Sequence, residues 1–398
     1  MRVVAYIQAR RRLWPAVGLL VGLLLIGWDL WLPARTFIPQ YAVRNDLRLA
    51  YGAAFVGVRQ GYAHLYDLTA QKAAIEGLGP GFNPQPFISP PPLAWLVTPL
   101  LPLPFSAALI IWTLLLLAAL VWTWHALAPP GRAVRAAHLV LFLGLFPVAF
   151  GVMVGQPGAL VAAAVATAWW LMRRDRQVWA GLALSLVIVK PQLALLVPVC
   201  LLVAGHAKPF GAWLVASLFI GLVAVAMLGP DGVARYREVL AQTQSPQWDI
   251  TRRYSISGPL GLGPLLTVIQ VLVVSITLLA AWRQGGAPGS GSARPGAPRG
   301  DVPPQIHGHE GPEAPMAIGI LGSLLATPYL AFQDFLMLVV AGWLLLHTRL
   351  TPWQVGLLIL GYALLEFALV VLAAPILVAE ALLLLSLLRP PAPARTAG

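Results

Sequence analysis

The stretch Phe105–Leu127, FSAALIIWTLLLLAALVWTWHAL, runs for 23 residues without an Asp, Glu, Lys or Arg. A helix rises about 1.5 Å per residue and the hydrocarbon core of a bilayer is roughly 30 Å thick, so about 20 such residues cross it. Working outward from this stretch, apolar runs recur at 13–32, 138–154, 157–172, 177–189, 191–205, 210–228, 259–282, 316–328, 335–347, 353–372 and 375–388. The fold they predict is all-α, a polytopic transmembrane helix bundle forming one membrane domain over residues 1–398 with about 10–13 spans.

Composition agrees. Charged residues make up only 10% of the 398 and hydrophobic ones 59%, with a mean hydropathy of +0.79, whereas soluble domains carry roughly 25% charge. The net charge of +12 does not indicate a nucleic-acid partner, because the basic residues are dispersed between apolar runs and not gathered on one face. They follow topology instead. With the N-terminus in the cytoplasm, most of the 26 Lys and Arg residues fall in inner segments, among them Arg10, Arg11, Arg12, Arg132, Arg135, Arg173, Arg174 and Arg176, as the positive-inside rule requires. A multi-pass protein of the cell (plasma) membrane is expected. The arginines ahead of 13–32 resemble a secretory signal, but the apolar run is long and no small-residue cleavage site follows, so it reads as an uncleaved first helix. Cys200, the single cysteine, lies in an apolar run and reads as packing.

Two stretches do not span. Residues 33–104 hold NDLRLAYGAAFVGVRQGYAHLYDLTAQ, with helical periodicity, and then PPLAWLVTPLLPLP, too short and too proline-broken to cross. They are expected to form a first external loop with interfacial helices. Residues 284–315 are rich in Gly, Pro and Ser without apolar periodicity and are expected to form a disordered cytoplasmic linker. His307, His309 and Glu310 within it are too loosely spaced to be read as a metal site.

Threaded in this order, the polar groups that do not belong in apolar surroundings fall at the outer face. Asn45-Asp46 opens the first external helix. The Asp46 carboxylate reads either as an N-terminal helix charge or as a general base for an acceptor hydroxyl, and Asp29 is a second carboxylate nearby in sequence. Lys190 stands in VIVKPQLALL, where insertion at membrane depth costs about 2.5–3.5 kcal/mol. It either snorkels or presents a point charge to a phosphate. Gln192 beside it, and Gln156 in the break Gly155-Gln156-Pro157, are candidates to bind sugar or phosphate oxygens. Residues 229–257 read as an external loop bearing Arg235, Arg237, Arg252 and Arg253, with Tyr254 following. Arginine pairs phosphate oxygens through parallel hydrogen bonds, and lipid headgroups are the alternative partner. Gln333 and Asp334 close another proline-broken segment at the same face. Glu366 and Glu380 lie within spans and read as interhelical hydrogen-bonding groups or proton-relay groups. No glycine-rich phosphate loop, zinc motif or Ser-His-Asp pattern is present.

The segments ND-L-LAYGAA, LYD, PPLAWLVTPLLPLP, VGQPGALVA, KPQLALLVP, SISGPLGLGP and TPYLAFQD, in this order over 45–334, resemble glycosyltransferase family 87. These are membrane enzymes of the glycosyltransferase C-type fold that use polyprenyl-phosphate sugars. The resemblance implies an inverting transfer, usually of mannose, to a cell-envelope lipid or glycan acceptor. It implies that an acidic residue of the first external loop, here Asp46, is the base. It also implies that Lys190 to Gln192 and the outer-face arginines lie near the donor phosphate, with Asn45, Gln156, Tyr254, Gln333 and Asp334 as substrate contacts. At the last segment this chain reads Thr327-Pro328 and Gln333-Asp334 where family members more often read Ser-Pro and an aromatic-Asp pair. Fixed cations at the phosphate leave no role for a divalent metal, and no cofactor is expected. The partners expected are the lipid-linked donor, the acceptor and membrane lipids. The rivals are a lipid or glycolipid transporter, which would spread polar groups through the membrane depth, and a structural partner of envelope enzymes, which would leave Asp46 and Lys190 unexplained.

The topology is tested by single cysteines placed in a Cys200→Ala background. Positions 59 and 252 should react with an impermeant thiol reagent applied to intact cells, and positions 174 and 290 only after permeabilisation. Labelling of position 290 from outside would overturn the orientation.

Overall fold

The computed structural model describes residues 13–36, 40–245, 252–285, 311–367 and 373–389. Among them every regular element is helical. The helices are α1 (Trp14–Thr36), α2 (Leu47–Gln60), α3 (Leu68–Glu76), α4 (Pro91–Val97), α5 (Phe105–Leu127), α6 (Arg132–Leu143), α7 (Phe146–Met153) and α8 (Gly158–Met172). The chain continues through α9 (Gln177–Leu184), α10 (Leu196–Val203), α11 (Ala207–Gln242), α12 (Pro264–Gln284), α13 (Glu313–Ala326), α14 (Leu336–Leu346), α15 (Pro352–Phe367) and α16 (Ala374–Ser386). The stretch read as a cytoplasmic linker lies, at 286–310, outside the described residues.

By length and composition α5, α11 and α12 can each cross a membrane, and α6 with α7 make a fourth if that pair, bent by 58°, is one span. The shorter apolar stretches, such as Trp14–Asp29, Gly158–Met172, Gln177–Val189 and Glu313–Ala326, have 10–17 residues, at about 1.5 Å per residue shorter than a hydrocarbon core. They occur where the sequence predicts spans, but proline and glycine divide them into shorter pieces. Pro147 sits in the first turn of α7, and the run after α9 tightens into the 3₁₀ turns Ser185–Val189 and Pro191–Leu193 around Lys190.

One stretch read as an external loop begins as helix. The sequence reading ends a span at 228 and starts an external loop at 229. The structure kinks at Gly229, whose φ of 63° and ψ of −179° suit glycine, and resumes as helix to Gln242. Pro230 supplies no N–H, but the first turn of a resumed helix needs none. This C-terminal part of α11 is tied to the 40–104 unit. Arg235 donates to the Ala63 carbonyl at 2.9 Å, and Tyr236 stacks on Tyr66 at 4.2 Å between ring centroids. Arg235 is thus a structural tie and not a free cation for phosphate.

Residues 40–104 form a packed unit of α2, α3 and α4. Asp67 caps α3 by accepting from the Thr69 and Ala70 amides. Gln71, buried, donates to Leu65 O and accepts from Phe87 N, and Tyr51 donates to the carbonyls of Leu101 and Leu103. These bonds knit the unit together around α2.

At the centre stands α13, with 13 of its 14 residues buried, packed on α10, α12 and α14. Lipid tails are as apolar as leucine, so helices in a membrane associate through close packing at small residues. A Cβ added at Gly319 would lie 2.5 Å from Val197 Cα of α10, and one at Gly322 2.3 Å from Thr277 Oγ1 of α12. On the other flank, a Cβ at Gly22 of α1 would lie 2.7 Å from the Leu141 amide nitrogen of α6.

Gly319→Leu should therefore lower the melting temperature of the detergent-purified protein, since forced overpacking costs about 1–3 kcal/mol or more. Gly221→Leu, on α11 where an added Cβ meets nothing within 4 Å, should leave it unchanged. Equal melting of the two variants would contradict the packing described for α13.

Candidate active site

Two short segments meet first. Asn45, fully buried, accepts from the Leu47 amide through Oδ1 at 3.0 Å and donates through Nδ2 to Met153 O at 3.1 Å. The Asp46 amide donates to Val154 O at 2.8 Å. The turn after α7 can approach this closely because residue 155 is glycine. Its φ is +69°, and a Cβ there would lie 2.0 Å from Asn45 Oδ1. Trp112 Nε1 clamps the turn from α5 by donating to Gly155 O at 2.8 Å.

Asp46 occupies the N-cap position of α2, yet its carboxylate makes no capping bond. It turns away from the helix. Oδ1 accepts from Arg48 Nη1 at 3.2 Å and Oδ2 from Gln156 Nε2 at 2.5 Å. Gln156 Oε1 in turn accepts from Lys190 Nζ at 2.9 Å, and the same ammonium donates to Asp334 Oδ1. Asp334 Oδ2 accepts from the Ala331 amide at 3.1 Å. One hydrogen-bonded chain therefore runs Arg48, Asp46, Gln156, Lys190, Asp334, drawing on four separate parts of the sequence. The orientation of the Gln156 amide is set by its neighbours, with the NH₂ facing a carboxylate and the oxygen an ammonium.

Exposure divides the chain of groups. Arg48, Lys190 and Asp334 are buried, while the Asp46 side chain is 27% exposed. Burial pushes the Asp46 carboxyl above the ordinary carboxylate range, and Arg48, Gln156 and Lys190 pull it back. When all four ionisable groups are charged, two cations balance two anions.

The other expected residues take varied places. Gln333, buried, faces Gly151 of α7. Tyr254 packs on Phe332 and Phe335 with centroids at 5.6 and 6.1 Å, and Ser255 and Ser257 both donate to Pro328 O, so the 252–258 turn is docked on the segment that carries Asp334. Gln192 is half-buried on the turn after Lys190 and makes no hydrogen bond to the network among the described residues. Arg252 is buried and donates to the carbonyls of Thr243 and Ser245, so much of its hydrogen-bonding capacity serves its own loop. Arg253 is exposed. Asp29, the second carboxylate considered as a base, is buried within α1 and outside the network. Glu366 does find a partner, accepting from the Phe146 amide at 3.0 Å.

Sequence reasoning missed Arg48. Its Nη1 also donates to Asn45 O at 2.9 Å and its Nε to Asn83 O at 3.1 Å, so it fixes Asp46 from inside the first loop. The available signal was an arginine two residues from the candidate base on an otherwise apolar helix face.

The residues thus form a buried, charge-balanced network with one partly exposed carboxylate. A model of glycosyltransferase family 87 matches residues 87–292, more than half of the chain, and the protein belongs to that family of membrane glycosyltransferases. The matched region holds Gln156, Lys190, Gln192 and 252–254, whereas Asp46 and Asp334 lie outside it. No curated protein and no solved structure matches the chain.

Asp46→Asn should lower turnover by about 10²–10⁴-fold, the usual worth of general base catalysis, while α2 keeps its start, because the carboxylate does not cap it. In wild type the acid limb of the kcat/KM profile should lie above the ordinary carboxylate range. Arg48→Met removes a neighbouring cation that favours the ionised form, so the limb should move to still higher pH. An Arg48→Met profile that superposes on wild type would rule out this influence on Asp46.

Proposed function

We propose that the protein transfers a hexose, mannose in the first instance, from a polyprenyl-phosphate donor to a lipid or glycan acceptor of the cell envelope at the outer face of the plasma membrane, inverting the anomeric centre. The observation that carries this reading is the Asp46 carboxylate, free of capping duty, gripped on both oxygens and partly exposed. Such a group is oriented for one task, removal of a proton from an incoming hydroxyl. The C-type fold implied by the sequence resemblance accords with the helical bundle and its packed first loop.

In the proposed step the acceptor oxygen bonds to the anomeric carbon from the face opposite the phosphate. The bond from that carbon to the phosphate oxygen breaks, polyprenyl phosphate departs and the acceptor proton passes to Asp46. Once Asp46 is neutral, the network of Arg48, Lys190 and Asp334 carries one excess positive charge. It arises as negative charge grows on the departing phosphate, so the stabilisation is greatest in the transition state, where it accelerates the reaction. Lys190 is committed to Asp334 and Gln156, so its charge acts at the phosphate within this network, and Arg253 is the exposed cation of the outer turn.

The assay is transfer of radiolabel from polyprenyl-phosphate mannose to envelope lipids by the purified protein. Lys190→Ala strands the Asp334 carboxylate, and loss of one partner of a buried pair costs about 3–5 kcal/mol, so its abundance should fall. The double variant Lys190→Ala with Asp334→Ala should recover abundance but keep a raised KM for donor, with the KM for acceptor little changed. Transfer from a nucleotide sugar and not from the lipid-linked donor would overturn the donor assignment. A double variant with wild-type donor KM would remove Lys190 from it.

A further inference from the structure

A cavity of about 530 Å³ lies among α1, α6, α14, α15 and α16, and none of the residues lining it belongs to the Asp46 network. Its volume falls in the range of small-molecule pockets. The walls are apolar, with Phe142, Leu338, Ile376 and Leu383 among them. Trp14, Val17 and Val21 of α1 and Ile359 of α15 line it and are also exposed on the apolar outer surface, so it opens sideways towards lipid.

Among the side chains with polar atoms that line this cavity, bonding is uneven. Trp343 Nε1 donates to His138 Nδ1 at 3.1 Å, and the Tyr362 hydroxyl donates to Leu141 O at 2.7 Å. Those donors are committed. Glu380, in the middle of the apolar helix α16, is 97% buried at 3% exposure, and neither of its carboxyl oxygens has a hydrogen-bond partner among the described residues. An unsatisfied carboxyl in such surroundings is costly in either protonation state. Its oxygens are covered in this arrangement, but Glu380 lines the cavity, and a turn of its side chain brings the carboxyl to an occupant that supplies the partner.

The chemistry narrows the occupant. A hydroxyl donates to a carboxylate, and with a carboxylic acid it can both donate and accept, so it satisfies Glu380 whichever form is present. An ammonium only donates and brings a second charge to desolvate. Water needs two to four polar partners, and the walls near Glu380 offer little besides the carboxyl. We propose that this cavity is an intramembrane binding site for a lipid alcohol, which enters between α1 and α15, sets its hydroxyl on Glu380 and lays its chain along Leu338, Ile376 and Leu383. No step of sugar transfer is assigned to it.

The test uses the full chain in nanodiscs with two probes of equal length, hexadecanol bearing a mid-chain diazirine and its methyl ether. After photolysis, mass spectrometry locates the adducts. The alcohol should label Leu336–Leu346 and Ala374–Ser386 about fivefold more than the ether, the ratio expected from one net hydrogen bond. Glu380→Gln, whose amide can donate and accept, should keep most of that preference, and Glu380→Leu should abolish it. Equal labelling of the wild-type protein by the two probes, a comparison that requires no variant to fold, would overturn the proposal. So would a preference that survives Glu380→Leu.

Discussion

A buried ammonium cannot stand alone in an apolar bundle, and the arrangement around Lys190 follows from that constraint. Its two acceptors are Gln156 and Asp334, and the local backbone is shaped to deliver it to them. Pro191 prevents the helix from running through, the chain tightens into 3₁₀ turns on both sides, and Lys190 itself adopts a non-helical φ of −152° and ψ of 71°. Asp334 is matched to this role, with one oxygen on the ammonium and the other on the Ala331 amide. Breaking either partner leaves an uncompensated charge in the bundle, which is why the pair holds the short helices on either side in one relation.

Gln156 transmits that relation to Asp46. As the neutral member between a carboxylate and an ammonium, it separates opposite charges that would otherwise collapse on one another and leave no reactive oxygen. The placement depends on backbone approach as much as on side chains. Without a Cβ at residue 155, Asn45 seats against the turn, and the 40–104 unit is locked to α5 and α7 beside Asp46. The glycines of α13 serve the same end at a distance, since they let the central helix carry its neighbours close enough for the segment bearing Asp334 to reach Lys190.

Much of this was legible in the sequence. Uncharged runs of sufficient length located the helices, as at Phe105–Leu127, because apolar periodicity and length are local properties. Lys190 stood out as a charge flanked by apolar residues, Gln156 and Asp334 as polar groups at proline-broken segments, and Asp46 as a carboxylate opening a helix. What could not be read was the partnership among them, which depends on contacts across 34 to 144 residues of chain. Thus Lys190 reads from sequence as a cation awaiting phosphate, and in the structure its charge is already paired. Arg252 was expected to face a ligand and instead donates to its own loop, a choice made by burial that no motif records. Arg48 was passed over because a helix beginning with one arginine is unremarked until its neighbours are known. The continuation of α11 beyond Gly229 was missed because Gly-Pro marks a break equally well whether a loop or a new helix follows.

The dispersal of the network along the chain bears on biogenesis. The carboxylate at 46 emerges first from the ribosome and its counterpart at 334 more than 280 residues later. A nascent chain truncated before Asp334 holds Lys190 in the translocon or the bilayer without its counter-ion. The intermediate is therefore electrostatically incomplete, and Lys190 is drawn to the interface until the final helices arrive. Completion of synthesis thus releases the lysine into the bundle, and surveillance machinery that recognises an exposed charge at membrane depth would distinguish unfinished chains from finished ones.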